Sequence, residues 1–441
     1  MKNFLSHVVS ETLKINSDIS NISFVLPNQR AGLYLKKQLK DQLNGTVFLP
    51  EISTFDNLVE KITGIQKIPS IELLFEFYEV YRTITSSDKS DSFEVFSHWA
   101  KIVLDDFNEI DNQLVNPQPI FGTLHEINIL QNWDPNTEIT RNYLAFIQNL
   151  ETYYMALYTH LRENQKAYQG MLFREAVEVL QHFVQNTPHK YVFVGFNYLK
   201  KAESVIIQEL LEANKAEIYW DIPHYFNQLY QNKKNAFDTY AKDWNYYKTH
   251  DFLWNFTEKL PIENITLVGV SKKVGMMKYA GNLLKNETNI QDTALVLHDQ
   301  NILATALQSI PENVESINIT MGIPLNSFSF SGLIQHFFEL HIQQTQTQKG
   351  FYHKTVLKIL QHPIMAALNQ DIKEIVKVLI AQNKVYFQTS DFEIAFQFLP
   401  KSLKNILTKT FTSLKNNETI LFLNLINDFI TTIKPHLKGL E

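Results

Sequence analysis

Apolar and polar positions change period several times along the chain. Helical spacing covers residues 4–14, and a continuous apolar run at 22–26 then predicts a buried strand. A helix is expected behind Asn28, over 30–42, and residues 46–49 read as a second strand. Pro50, Glu51, Ile52, Ser53 and Thr54 lead into an amphipathic helix at 55–62, with Thr54 as its cap. From 71 to about 183 the period is helical almost throughout. Leu73, Leu74, Phe77, Tyr78 and Tyr81 share one face, as do Leu144, Ile147, Leu150, Tyr154, Leu157 and Leu161.

Strand signals return at 191–194 and 217–220, on either side of a helix near 201–213, a spacing that suits a parallel sheet. Beyond Pro261, strands are expected at 265–270 and 294–297 and an extended run at 316–320, with helices at 275–285 and 301–308 between them. After the glutamine-rich stretch 343–348 the pattern is helical to the end. The expected class is α/β, with parallel-sheet domains and large helical insertions. Residues 1–90 begin the first core domain, 91–185 form a helical insertion, and 186–261 return to the core. Residues 262–330 then give the first half of a second α/β domain, and 331–441 a second helical insertion, truncated.

The chain of 441 residues is 44% hydrophobic, with 31 Phe and 19 Tyr, enough for more than one sizeable core. It has no cysteine, which excludes disulfides and thiolate metal sites within these residues and suits a reducing cytoplasm. The amino terminus does not read as a signal peptide, and no apolar run reaches the length of a membrane span, so a soluble, cytoplasmic protein without membrane contact is expected. The closing Lys438, Gly439, Leu440 and Glu441 lack a helix cap and end in a pair common at cloning junctions, so a fragment of a longer chain is expected.

Net charge is −6, which opposes bulk attraction to a polyanion and leaves any nucleic-acid binding to local patches. Residues 91–151 carry Lys101 and Arg141 against ten acids, whereas 349–415 carry ten lysines against four acids. The carboxyl-terminal third is the better placed for phosphate contact, although a solvated surface is the plainer explanation of the lysine excess.

Four short strings narrow the possibilities. Val25 through Gly32, Phe48 through Leu58, Val192 through Leu199 and Ile317 through Leu325, in this order of sheet and helical segments, resemble superfamily 1 DNA helicases. More narrowly, they are similar to the inactivated, helicase-like (RecA-like) halves of the AddB and RecC subunits of bacterial double-strand-break repair complexes. The departures carry weight. No Gly-x-x-x-x-Gly-Lys-Ser/Thr loop occurs, Gly195, Phe196 and Asn197 stand where an active member has Asp-Glu, and His298, Asp299 and Gln300 follow Leu297 where it has an arginine.

The resemblance implies a non-hydrolytic DNA-binding module without cofactor, acting on DNA ends (duplex with a single-stranded tail) beside an active, AddA-like helicase-nuclease subunit. It also implies a Pro-Asp…Asp/Glu-x-Lys nuclease domain beyond Glu441, so the longer parent would be an ATP-independent or partner-dependent DNA exonuclease. The leading alternative is that this fragment only positions the substrate for that missing nuclease domain. A protein scaffold without DNA contact is the third possibility, favoured by the net charge.

No catalytic residue is assigned. The one late match to the nuclease string, Asp371-Ile372-Lys373, lies in an expected surface helix, and no histidine spacing fits a metal site. Asp105 and Glu109 sit one helical turn apart and could meet a cation, but a solvated acidic face accounts for them. For DNA, Arg30, Lys36 and Lys37 lie near a helix start, where phosphate contact and plain exposure are equally supported. Thr54 and Phe55 are DNA-side candidates by resemblance only, a helix cap being the plainer explanation of Thr54. Lys233, Lys234 and Trp244 belong to an aromatic and lysine-rich stretch, 219–256, that could stack on unpaired bases or pack as core.

Overall fold

A computed structural model describes residues 4–434 apart from 16–18, 44–47, 87, 89, 131–137, 224–235, 251, 253, 257–263 and 415–418. The chain divides into two units, Met1–Asn264 and Ile265–Glu441. In chain order the first runs α1 (Phe4–Ile15), β1 (Ile22–Leu26), α2 (Gln29–Gln42), β2 (Glu51–Thr54), α3 (Phe55–Thr63), β3 (Gln66–Lys67) and α4 (Ser70–Ile84). It continues through α5 (Phe93–Asn112), α6 (Pro117–Leu130), α7 (Glu138–Glu163), β4 (Lys166–Ala167), α8 (Gln169–Asn186), β5 (Lys190–Val194), α9 (Lys201–Glu212), β6 (Ala216–Pro223), α10 (Ala236–Asp243) and β7 (Trp254–Phe256).

Five strands form one parallel sheet in the order β2-β1-β5-β6-β7, while β3 and β4 make a separate two-stranded ladder. Phe24, Leu26, Val192, Val194 and Tyr219 point to one face, where Val8 and Val9 of α1 and Leu35 and Leu39 of α2 cover them. Val25, Tyr191, Phe193, Ile218 and Trp220 point to the other, toward residues of α3, α8 and α9. A sheet covered on both faces needs apolar residues at every position, which is why β1 is buried along its whole length and its sequence does not alternate.

The second strand forms later than its sequence suggests. Its ladder pairs Ser23 with Glu51 through Leu26 with Thr54, so the stretch read as a connection is the strand itself. Glu51 secures that register, accepting hydrogen bonds from Ser23 Oγ at 3.2 Å and Lys61 Nζ at 2.8 Å. Phe48 and Leu49, expected in the strand, are exposed.

The helices between β3 and β5 do not hold a core of their own. Phe77, Phe96, Tyr154 and Leu172 belong to the same cluster as Phe193 and Ile206, continuous with one face of the sheet. At the centre of the helical part Asp111, fully buried, accepts from Tyr154 OH at 2.5 Å, from Tyr168 OH, and from Arg174 Nε at 2.6 Å. Arg174 also donates to the carbonyls of Ile110 and Val115, closing the end of α5. A buried carboxylate is tolerated because three donors converge on it.

In the second unit, helices between Ser329 and Ile433 enclose Phe337, Leu340, Phe351, Phe392, Phe411 and Phe429, with Phe351–Tyr352 and Tyr386–Phe387 paired antiparallel. The second sheet expected at 262–330 is not formed among the described residues. Segments 265–270, 294–297 and 316–320 carry no strand, and Leu267 and Val296 are 93% and 88% exposed. Their apolar, β-branched composition supplies strand propensity, but a strand persists only with a ladder partner. Met277, Ile302 and Ala306 form a small core beside the helices Lys273–Asn286 and Leu303–Leu307. No helix among the described residues is long and apolar enough to cross a membrane.

Candidate nucleic-acid interface

The strand order changes direction between β1 and β5, and in open parallel sheets the crevice at such a reversal, outside the carboxyl ends of the strands, is the usual ligand position. Three connections meet at this edge: β1 to α2, β2 to α3, and β5 to α9. Each ends in a helix amino terminus, where unpaired backbone N–H groups and the helix dipole favour negative charge.

Asn28 starts α2, its Oδ1 accepting from the Ala31 N–H at 2.9 Å. Gly32, Leu35 and Leu39 then take the inner face of the helix. The outer face is thereby fixed as Arg30, Leu33, Tyr34, Lys36, Lys37 and Lys40. Arg30 is half-buried at the first turn, while Lys36 and Lys37 lie further along, roughly 10 Å from it at the helical rise. None of these four cations has an acid within ion-pair distance among the described residues. Leu33 and Tyr34, 66% and 54% exposed, interrupt the lysines, and Phe48 and Leu49 follow the helix in the open.

Thr54 caps α3. Its Oγ1 accepts from the Asn57 N–H at 3.4 Å and donates to Asn57 Oδ1 at 2.6 Å, while the same Oδ1 accepts from the Thr54 N–H. Phe55 is buried, its ring centroid 5.2 Å from Phe173, 5.5 Å from Phe193 and 5.6 Å from Phe196, so it cannot meet a base in this arrangement. That corrects the expectation for Phe55: the ring is the bolt between α3, α8 and the sheet.

After β5, Gly195 at φ +72° turns the chain and Phe196 tucks beneath the edge. The loop thus presents an apolar ring and then Asn197 and Tyr198, the tyrosine 73% exposed. Lys200 and Lys201 follow at the start of α9, neither in an ion pair among the described residues, and Glu203 turns back to accept from the Lys200 N–H at 2.8 Å. Burial raises the Glu203 carboxyl above its ordinary value, partly opposed by that bond and by the Lys200 charge.

The aromatic stretch packs inward. Trp220 stacks on Tyr240 at 5.3 Å and on Phe252 at 5.9 Å, and its Nε1 donates to Tyr247 OH at 3.1 Å. Trp244 is buried against the same group and parallel to Tyr247, so it is core and not a stacking platform. Lys233 and Lys234 lie outside the described residues.

The structure therefore brings Arg30 and Thr54 to one edge, leaves Lys36 and Lys37 along the adjoining helix face, and removes Phe55 and Trp244. Sequence reasoning missed Tyr34, Tyr198, Lys200 and Lys201. The signal for Tyr34 was present, an aromatic on the polar face of a helix whose inner face is already set by Leu35 and Leu39.

Elsewhere, Asp105 and Glu109 are exposed on α5, and Asp371 and Lys373 are exposed at the start of Ile372–Ala381. In the second unit, Lys349, Lys354, Lys373, Lys401, Lys404 and Lys409 have no ion-pair partner among the described residues. No family model and no curated protein matches the chain.

Proposed function

We propose that this chain is a non-hydrolytic, helicase-like DNA-binding module of the AddB type, which holds broken DNA ends for a helicase-nuclease partner. The reading rests on the carboxyl edge of the sheet. Three helix amino termini converge there with Arg30, Lys200 and Lys201, none in an ion pair among the described residues, exposed Tyr198, and Phe196 in place of a metal-binding acid. Such an edge attracts phosphate and offers rings to unpaired bases, but lacks the carboxylate that nucleotide hydrolysis would place after β5. RecA-like architecture in the first unit, cytoplasmic location and an AddA-like partner belong to the same proposal.

A scaffold without DNA contact is the second reading, supported by the net charge of −6 and by exposed Leu33, Phe48 and Leu49, which suit a protein surface. Fluorescence anisotropy with a duplex carrying a single-stranded tail separates the two. Binding should weaken steeply with salt and be indifferent to ATP and magnesium. Replacing Arg30 and Lys201 by Ala should lower the salt slope by about 0.7 for each lost single-strand phosphate contact. Tyr198→Ala should cost on the order of 1–3 kcal/mol if the ring carries a stacked base. Absence of binding at low salt would rule out the DNA reading for this chain.

A further inference from the structure

The groove between α4 and α7 holds a cluster that the DNA reading does not use. Glu76 and Glu79 stand one turn apart on α4, and His160 faces them from α7, with one potential ligand atom from each all within 4.8 Å of one another. His160 Nε2 lies 2.7 Å from Glu76 Oε2. Lys166 occupies the other oxygen of Glu76 at 2.7 Å and reaches Glu72 at 2.8 Å. Glu79 has no cation within ion-pair distance among the described residues, and neither do Glu151 and Glu163, which line the same groove of about 740 Å³. The groove therefore carries more carboxylate than its own cations neutralise.

We infer that Glu76, Glu79 and His160 bind a divalent transition-metal ion whose remaining coordination positions open into the groove. One imidazole nitrogen with two carboxylates suits zinc, cobalt, nickel or manganese, whereas calcium and magnesium favour oxygen-only sets. Ligands about 2.1 Å from an ion stand roughly 3–3.5 Å apart, so His160 Nε2 and Glu76 Oε2 must part slightly from 2.7 Å, while atoms up to 4.8 Å apart must close by about 1 Å, with exposed Glu79 the ligand freest to move.

The frame behind the ligands is rigid. Phe77 and Val80 of α4 and Leu157 and Leu161 of α7 are buried in the common core. Lys166, by holding one oxygen of Glu76, aims the other at His160, the kind of outer contact that orients a metal ligand. The ion would stand between His160 Nε2 and Glu76 Oε2, replacing their direct contact of 2.7 Å. His160 and Glu76 are 84 positions apart, which hides the set from any motif search.

Isothermal titration of the whole chain, freed of metal by chelator, with zinc chloride and separately with magnesium chloride tests this. Zinc should bind as a single tight ion, and magnesium should give little heat. Glu79→Gln removes a ligand that makes no ion pair among the described residues and should weaken zinc by at least about ten-fold, and His160→Gln by more. His182→Gln, on α8, should bind as the unaltered chain does. Zinc binding that survives both Glu79→Gln and His160→Gln, with circular dichroism unchanged, would overturn the assignment, as would no stoichiometric zinc binding at all.

Discussion

His341 is buried among apolar neighbours, and only one of its ring nitrogens is used. Its Nε2 donates to the Thr410 carbonyl at 2.8 Å, whereas Nδ1 is buried with no partner among the described residues. Burial pushes the imidazole down to about 4, and the bond to Thr410 only partly opposes that shift. The unfolded chain titrates near 6.5, so below that pH it takes up a proton that the folded chain refuses. This contribution to stability is intact above 6.5 and is lost as pH falls toward 4, by about 3 kcal/mol in all. His341→Gln keeps a donor for Thr410 and abolishes the titration. Urea unfolding followed by far-ultraviolet circular dichroism at pH 7.5 and 4.5 should therefore show a smaller acid loss in the variant. Equal losses in the two proteins would show that another group is responsible.

Among the elements, the contact between α5 and α8 is the closest approach in the first unit that a single methyl group can probe. The Gly170 N–H donates to Asn108 Oδ1 at 2.7 Å, and a Cβ at Gly170 would sit 2.2 Å from the Asn108 carbonyl oxygen. Gly170→Ala must push the helices apart and should destabilise the chain by about 1–3 kcal/mol. Gly122→Ala on α6, where an added Cβ meets nothing within 4 Å, should be neutral or stabilising by up to about 1 kcal/mol. Tryptophan fluorescence during urea unfolding reads both, because all five tryptophans precede residue 265. Similar midpoints for the two variants would mean that the helices are not packed at Gly170 as described.

The same elements show what could be read from sequence. β1, α2 and α3 were legible because an apolar run, an Asn cap and a Thr cap each act locally. β2 was displaced because its register depends on Glu51 meeting Ser23 and Lys61, partners 28 and 10 positions away. Phe55 and Trp244 look alike as exposed and as buried rings until the elements around them are placed. Tyr198, Lys200 and Lys201 acquire meaning only when β5 lies beside β1, which no local pattern encodes.

At the scale of the whole molecule, the two units differ in how fully their strand-like segments are paired. In the first, Phe24 and Val192 are neighbours in register, fully buried, with ladders on both sides of their strands. In the second, 265–270, 294–297 and 316–320 carry no strand and no ladder, with Ile265 75%, Leu267 93%, Val296 88% and Ile317 51% exposed. Backbone amides without a hydrogen-bonded partner exchange with solvent without waiting for the fold to open, whereas those in a core ladder wait for large-scale unfolding. Hydrogen exchange read by mass spectrometry should therefore label these three segments within seconds, while peptides covering β1 and β5 stay protected for hours, on the order of the core protection expected of a stable domain. Protection of 265–270 or 316–320 equal to that of β5 would show that they find a ladder in solution. Repeating the measurement across a dilution series would then tell pairing within one chain, which is independent of concentration, from pairing between chains, which dilution removes.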